Sequence, residues 1–335
     1  MTDGVSTKRM GMAEALRDAM RIAMATDPAV FLLGEDIGVP GGFGGGFTVT
    51  LGLSDEFGRH RVIDTPIAEG AIVGAAVGAA MAGTRPVAEM QYGDFVFCAM
   101  DQVVNQAAKV HYMSGGRLKA PLTVRTTLGA TRRSAAQHSQ SLHAWVAHIP
   151  GLKVALPATP YDAKGLLKSA IRDDSPVVVF EDKMMFATKG PVPEEEYTLP
   201  FGVADVKREG EDVTLVASSS MVYVALEAAE ELARVGVSAE VVDPRTLVPL
   251  DRETIVGSAV KTGRAIVLDE GHQSYGASAE IAAVIGEGAF FHLDAPVTRA
   301  GAMDVPIPFS PVLEDQTVPT PESVFELAKS LVGKA

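Results

Sequence analysis

From residue 12 onward the chain alternates between two hydrophobic periods. Residues 12–25 repeat apolar positions at helical spacing, with Ala15, Ala19, Ile22 and Ala23 on one side. Residues 30–33 then form a short apolar run of strand type, closed by Glu35 and Asp36. The alternation continues with strands at 62–63, 87–91, 122–125, 154–156 and 177–180 and helices at 69–83, 100–112 and 161–171. Strands and helices in turn, joined by short connections, predict a parallel sheet covered on both faces. Residues 188–202 interrupt the pattern with Pro191, Pro193, Pro200 and the run Glu194, Glu195 and Glu196, which reads as a linker. A second α/β block follows, with strands at 213–217, 239–242, 265–268 and 296–300. Its helices lie at 222–235, 251–261, 277–285 and 322–332, after an irregular Pro-rich stretch at 305–321.

The helix at 69–83 is unusual. Gly70, Gly74 and Gly78 recur every four positions and make one smooth strip, so another backbone can approach closely. Glu69 stands alone at its start. A lone acid there is costly to place against a core and points to a non-protein group; the plain alternative is a first-turn acid facing the positive end of the helix. A membrane span is excluded, because Glu69 and Arg85 bracket the apolar run too tightly for the ~20 residues a span needs.

The chain has 335 residues, 47% hydrophobic and 21% charged, enough for two domains with full cores. Its net charge of −13 excludes non-specific nucleic-acid binding and disfavours an anionic membrane surface. One cysteine, Cys98, permits no intrachain disulfide and fits a reducing, cytoplasmic compartment, and 1–28 holds no secretory apolar block. Histidines 138, 143 and 148 are five apart, a rotation of about 140° on a helix, so they do not share a face for metal binding. The glycines of 41–46 lack a following Lys-Ser/Thr and read as a mobile loop rather than a phosphate loop. No Gly-x-Ser-x-Gly elbow is present. His138 follows a polar loop after a strand, at the rim where α/β sheets place ligands; an inert surface histidine is the alternative.

Several motifs then occur in one order: Thr65-Pro66-Ile67-Ala68-Glu69, Glu89-Met90-Gln91-Tyr92-Gly93-Asp94-Phe95, the run 101–109, Tyr112-Met113-Ser114-Gly115-Gly116, Gln137-His138-Ser139-Gln140-Ser141, Pro150-Gly151-Leu152-Lys153-Val154 and the run 243–251. With these the chain resembles, over nearly its whole length, the β subunits of thiamine-diphosphate-dependent 2-oxo acid dehydrogenases. Residues 126–145 and 189–195 resemble the acetoin dehydrogenase branch of that family, with the pyruvate and branched-chain branches as alternatives and a non-catalytic docking subunit as a third.

The resemblance implies a pyrimidine-binding parallel-sheet domain at 1–187, a linker at 188–202 and a transketolase C-terminal-type α/β domain at 203–335. It implies an α2β2 heterotetramer that works with a dihydrolipoyl acyltransferase core. Thiamine diphosphate would lie at the α–β interface, with Mg²⁺ held mainly by the α subunit, since no Gly-Asp-Gly occurs here. Glu69 would bond the aminopyrimidine ring nitrogen and His138 would act during transfer to lipoamide. Gln91 and Phe95 would line the pyrimidine pocket, and Glu35 would lie beside the cofactor. Where relatives often carry Tyr, Phe95 has no hydroxyl to offer. Leu122, Ala170, Ile171 and Asp173 match a structural K⁺ site of some relatives; Ser175 departs from the usual Asn, and a plain helix C-terminus is the alternative.

Overall fold

A computed structural model describes residues 6–333. The first five residues of the expected first domain and the last two of the second lie outside the described residues. The chain packs as two units: Met1–Leu128 with Trp145–Phe201, and Gly129–Ala144 with Gly202–Ala335.

In unit 1 the strands are β1 (Thr7–Gly11), β2 (Val30–Glu35), β3 (Val62–Thr65), β4 (Arg85–Met90), β5 (Thr123–Leu128), β6 (Lys153–Ala155), β7 (Val177–Asp182) and β8 (Lys189–Pro193). A parallel sheet runs in the order β6-β7-β5-β4-β2-β3. Its central strands β5 and β7 are buried at every position, as both faces of a covered parallel sheet require. The helices and short turns of the first 150 residues are α1 (Met12–Thr26), α2 (Leu53–Phe57), α3 (Glu69–Met81), α4 (Val110–Met113) and α5 (His143–Ala147), followed in unit 1 by α6 (Pro160–Arg172).

Helix starts follow from capping chemistry. Glu14 takes the Gly11 N–H at 2.9 Å to open α1. Thr159 takes the Asp162 N–H at 3.0 Å, with Pro160 at the first helical position, to open α6. α1 and α6 lie together, joined by buried Lys164, whose Nζ is 3.0 Å from Asp18 Oδ2.

Two stretches of unit 1 differ from the sequence expectation. The helix expected at 100–112 is a π segment (Asp101–Ala107) followed by α4, and a 3-10 segment (Gly93–Ala99) precedes it. The wide turn is visible in the Ala108 N–H to Val103 carbonyl bond at 3.0 Å. Apolar periodicity does not separate a π turn from an α turn, which is why the break is invisible in the pattern. The stretch read as a linker contains β8, which pairs antiparallel with β1. The Pro residues there conceal a strand because a two-stranded edge needs few N–H donors.

Unit 2 contains β9 (Asp205–Arg208), β10 (Val213–Ala217), β11 (Ala239–Asp243), β12 (Thr246–Val248), β13 (Ala265–His272) and β14 (Thr298–Ala302). Its sheet runs β14-β13-β10-β11-β9, with all pairs parallel except the β9 edge. The helices are α7 (Met221–Arg234), α8 (Arg252–Thr262), α9 (Ala277–Ala289), the short α10 (Pro311–Glu314) inside the stretch read as irregular, and α11 (Pro321–Val332). Val216, Val242, Ile255, Val267 and Ile285 form part of its core. Among the described residues no helix is long and apolar enough to cross a membrane.

Candidate active site

The carboxyl ends of β2, β3 and β4 define one edge of the unit 1 sheet, where Glu35 pairs in register with Thr65, and Gly34 with Glu89. The chain leaves β2 toward β3 on one side and leaves β4 toward β5 on the other. Adjacent strands whose connections diverge open a crevice beyond their carboxyl ends. Glu35 ends β2, and Gln91 follows β4, so both flank that crevice.

β3 delivers the chain in four residues to Glu69, the first residue of α3, whose N-cap Ala68 offers no side-chain cap. The half-buried Glu69 carboxylate therefore stands at the positive end of the helix. The strip behind it follows the glycine spacing only in part: Gly70 is approached by backbone and Gly74 by a side chain, while Gly78 has nothing within 4 Å. A Cβ on Gly70 would lie 3.1 Å from the Cys98 carbonyl oxygen, and one on Gly74 3.3 Å from Gln102 Oε1.

Carboxylates gather at this mouth. Burial pushes the Glu35 carboxyl above its ordinary range, and the negative charges of Asp36, Glu69 and Asp64 push it further. Thr65 Oγ1 is buried without a hydrogen-bond partner among the described residues. Gln91 Nε2 donates to the Glu35 carbonyl at 3.1 Å, and the Thr127 hydroxyl donates to the Gln91 carbonyl at 2.9 Å. Acceptors thus outnumber donors, and the mouth fits a ligand that brings N–H groups, as an aminopyrimidine does.

The glycine loop is seated over this edge. Gly45 N–H donates to the Asp36 carbonyl at 3.0 Å, and a Cβ on Gly45 would lie 2.6 Å from Glu89 Oε1. Beneath it, Arg125 on β5 donates to Glu89 Oε2 at 2.6 Å and to both Glu181 oxygens at 2.6 and 2.8 Å, all three side chains being buried. Burial raises both carboxyl pKa values despite the guanidinium, and Glu89 raises that of Glu181 further. Phe95 lies in the 3-10 segment, edge-on to Tyr92 at 6.2 Å, and Tyr92 meets Phe47, which stacks on Phe186 at 4.8 Å.

In unit 2, the segment 129–144 carries His138. Thr131, Arg133 and Ala135 all adopt left-handed φ, between 59° and 65°. Such backbone costs about 1–3 kcal/mol per residue and persists where surrounding contacts over-determine it. Here Arg133 donates from its backbone N–H to Glu314 Oε2 at 3.1 Å and from Nη1 at 2.7 Å, while its guanidinium also spans Asp315. His138 is half-buried, its N–H donating to the Ala135 carbonyl at 3.3 Å.

The structure brings Glu35, Glu69 and Gln91 to one sheet edge. It sets Phe95 in the aromatic run and places His138 in the other unit. The oxygens proposed for K⁺ are engaged. The Ile171 and Asp173 carbonyls accept from Arg85 Nη1 at 3.3 and 3.0 Å, that of Ala170 from the Asp173 N–H at 3.2 Å, and that of Leu122 from the Val177 N–H at 2.9 Å. This is the geometry of a helix C-terminus closed by an arginine. Among the described residues no group of three or more His, Cys, Asp or Glu side chains could hold a metal. Sequence reasoning missed Glu89, Arg125 and Glu181. The available signal was a charge inside or closing each of three apolar strand runs.

Comparison with known proteins agrees with this anatomy. Residues 8–188 match the transketolase pyrimidine-binding domain and residues 202–324 the transketolase C-terminal domain. The chain is 49% identical to the acetoin:2,6-dichlorophenolindophenol oxidoreductase subunit beta of Bacillus subtilis, covering 97% of this chain and 98% of that one. It is 46% identical to the 2-oxoisovalerate dehydrogenase subunit beta of the same organism (96% and 98% covered). Identity to its pyruvate dehydrogenase E1 component subunit beta is also 46% (97% and 99% covered). Among solved structures, a split-gene transketolase described as an inactive beta4 tetramer superposes with a TM-score of 0.76 at 24% identity, covering 97% and 98% of the two chains, which shows the fold.

Proposed function

The chain belongs to the β subunits of thiamine-diphosphate-dependent 2-oxo acid and acetoin dehydrogenases, and from that premise we propose that it serves an acetoin dehydrogenase complex. In this reading it works in the cytoplasm with an α subunit as an α2β2 heterotetramer. Acetoin is cleaved, and the two-carbon unit passes to lipoamide on a dihydrolipoyl acyltransferase core. The acetoin assignment is supported by the 49% identity to an acetoin-type relative, against 46% for the branched-chain and pyruvate types.

The observation that carries the catalytic reading is the mouth of unit 1, with Glu69 at the first turn of α3 among the carboxylates that raise Glu35. Thiamine diphosphate supplies, when bound, the electron sink for breaking a bond next to a carbonyl carbon. Glu69 would hydrogen-bond the aminopyrimidine ring nitrogen and so fix the ring's tautomer. Gln91, tied to the β2 end by its bond to the Glu35 carbonyl, and Phe95 shape the pocket wall. Glu35, whose carboxyl takes up a proton more readily than an ordinary one, stands beside the site as a proton carrier. His138 orients or protonates the two-carbon unit during its transfer. Mg²⁺ would be held mainly by the α subunit, and a K⁺ at the carbonyls of Leu122, Ala170, Ile171 and Asp173 would share oxygens that already accept protein hydrogen bonds.

The test is Glu69→Gln in the enzyme reconstituted with its α subunit. Turnover is expected to fall by about 100-fold or more while the assembly persists. Unchanged turnover would remove Glu69 from the mechanism.

A further inference from the structure

Five positions after His138 lies a second histidine of unit 2 that the mechanism above does not use. His143 Nε2 is 2.9 Å from Asp269 Oδ1, and the two side chains are 3% and 7% exposed. Asp269 ends the apolar part of β13 and is fixed on its other sides. Its Oδ1 also accepts the Gly271 N–H at 2.9 Å, and its Oδ2 accepts the Ser278 N–H at 3.1 Å in the first turn of α9. The cradle is tight: a Cβ on Gly276 would lie 3.0 Å from Oδ2. Burial pushes the Asp269 carboxyl up, but the charge and hydrogen bond of His143 together with the two N–H groups hold it below the ordinary range. The anchor is therefore a fixed anion.

The pair closes one end of the strained segment. At the other end Ala130 N–H donates to Glu270 Oε1 at 2.6 Å, the residue next to Asp269, and in the middle Glu314 holds Arg133. His138 lies between the Arg133 anchor and the His143 anchor. A buried carboxylate bonded to a ring nitrogen is seldom the most stable filling for a core, since apolar side chains of similar volume serve packing as well or better. What the pair adds over such a filling is direction: two fixed atoms that admit one placement of the chain between them. Both side chains are too buried to meet substrate, so they act through another group.

We propose that His143 and Asp269 are positioning residues for His138, holding the segment 129–144 so that the His138 imidazole stands in its working place. The proposal rests on the reading of His138 as a catalytic residue.

The test is a double-mutant cycle in the enzyme reconstituted with its α subunit. His143→Phe keeps a ring and removes the nitrogen that meets Asp269. It is expected to lower kcat by about tenfold or more, because small misplacements of a catalytic group are costly, with KM changed less than kcat. In a His138→Ala background the same substitution is expected to cost nothing further. His143→Gln, which keeps a donor toward Asp269, is expected to recover most of the loss. An equal fold-loss in both backgrounds, or no loss in the first, overturns the proposal. His138→Ala that by itself leaves turnover unchanged overturns the reading of His138, and that single variant separates this failure from a failure of the pair. Should His143→Phe not assemble, Asp269→Asn is read instead by peptide-resolved carbethoxylation of His138. A change of about threefold or more in rate supports the proposal, and an unchanged rate overturns it.

Discussion

Glu35 and Glu69 repel each other at the mouth of unit 1, and Glu35 is the side chain whose pKa records it. Burial and neighbouring carboxylates raise its folded value above the ordinary 4.5. A carboxyl raised on folding contributes stability that is fully present below its unfolded pKa and lost as pH rises through its folded pKa. Glu35→Gln is therefore expected to raise the melting temperature of the ligand-free chain at pH 7 by about 1 °C, with a smaller effect at pH 4. Differential scanning fluorimetry at the two pH values checks this, and a loss of stability at pH 7 would contradict it. Glu35 and Glu69 were legible in the sequence as acids at the end of a strand and the start of a helix. The burial of Glu89, Arg125 and Glu181 was not, because each strand shows only its own charge and the triad exists only once β4, β5 and β7 are neighbours.

That triad belongs to the element scale, since Arg125 joins three strands beneath the mouth. Arg125→Met leaves two buried carboxylates without their cation and is expected to destabilise the chain by about 3–5 kcal/mol at pH 7. The loss should shrink toward pH 4, where the raised carboxyls of Glu89 and Glu181 take up protons; denaturant unfolding at both pH values measures it. α3 gives a pair of opposite signs. Gly70→Leu presses on the Cys98 carbonyl and is expected to cost about 1–3 kcal/mol. Gly78→Ala, exposed and with nothing within 4 Å, is expected to stabilise the chain by about 0.5–1 kcal/mol. Helices with strong periodicity and caps, α1 and α6 among them, were legible to within a residue or two. The 93–113 stretch was not, because an apolar pattern with nearly helical spacing is compatible with 3-10, π and α turns alike.

For the whole molecule, two α/β units could be read from the alternation of periods, but the route of the chain between them could not. Residues 129–144 leave the first unit after β5, pack with the second, and carry His138 with them. Nothing in that polar loop announces the excursion; its anchors, Glu270, Glu314 and Asp269, lie more than 120 residues further on. The net charge of −13 means that contacts of the proposed complex made through acidic side chains should weaken as salt rises. In the proposed assembly, binding of an acyltransferase by the enzyme reconstituted with its α subunit, measured at about 50 and 300 mM salt, is expected to be tighter at the lower concentration.

The most direct measurement is acceptor reduction by this chain co-expressed with its α subunit, with and without thiamine diphosphate and Mg²⁺, comparing acetoin, pyruvate and 3-methyl-2-oxobutanoate. Cofactor-dependent turnover with the highest kcat/KM on acetoin is the predicted result. A higher kcat/KM on either 2-oxo acid would contradict the acetoin assignment, and no cofactor-dependent turnover on any of the three would contradict the catalytic reading.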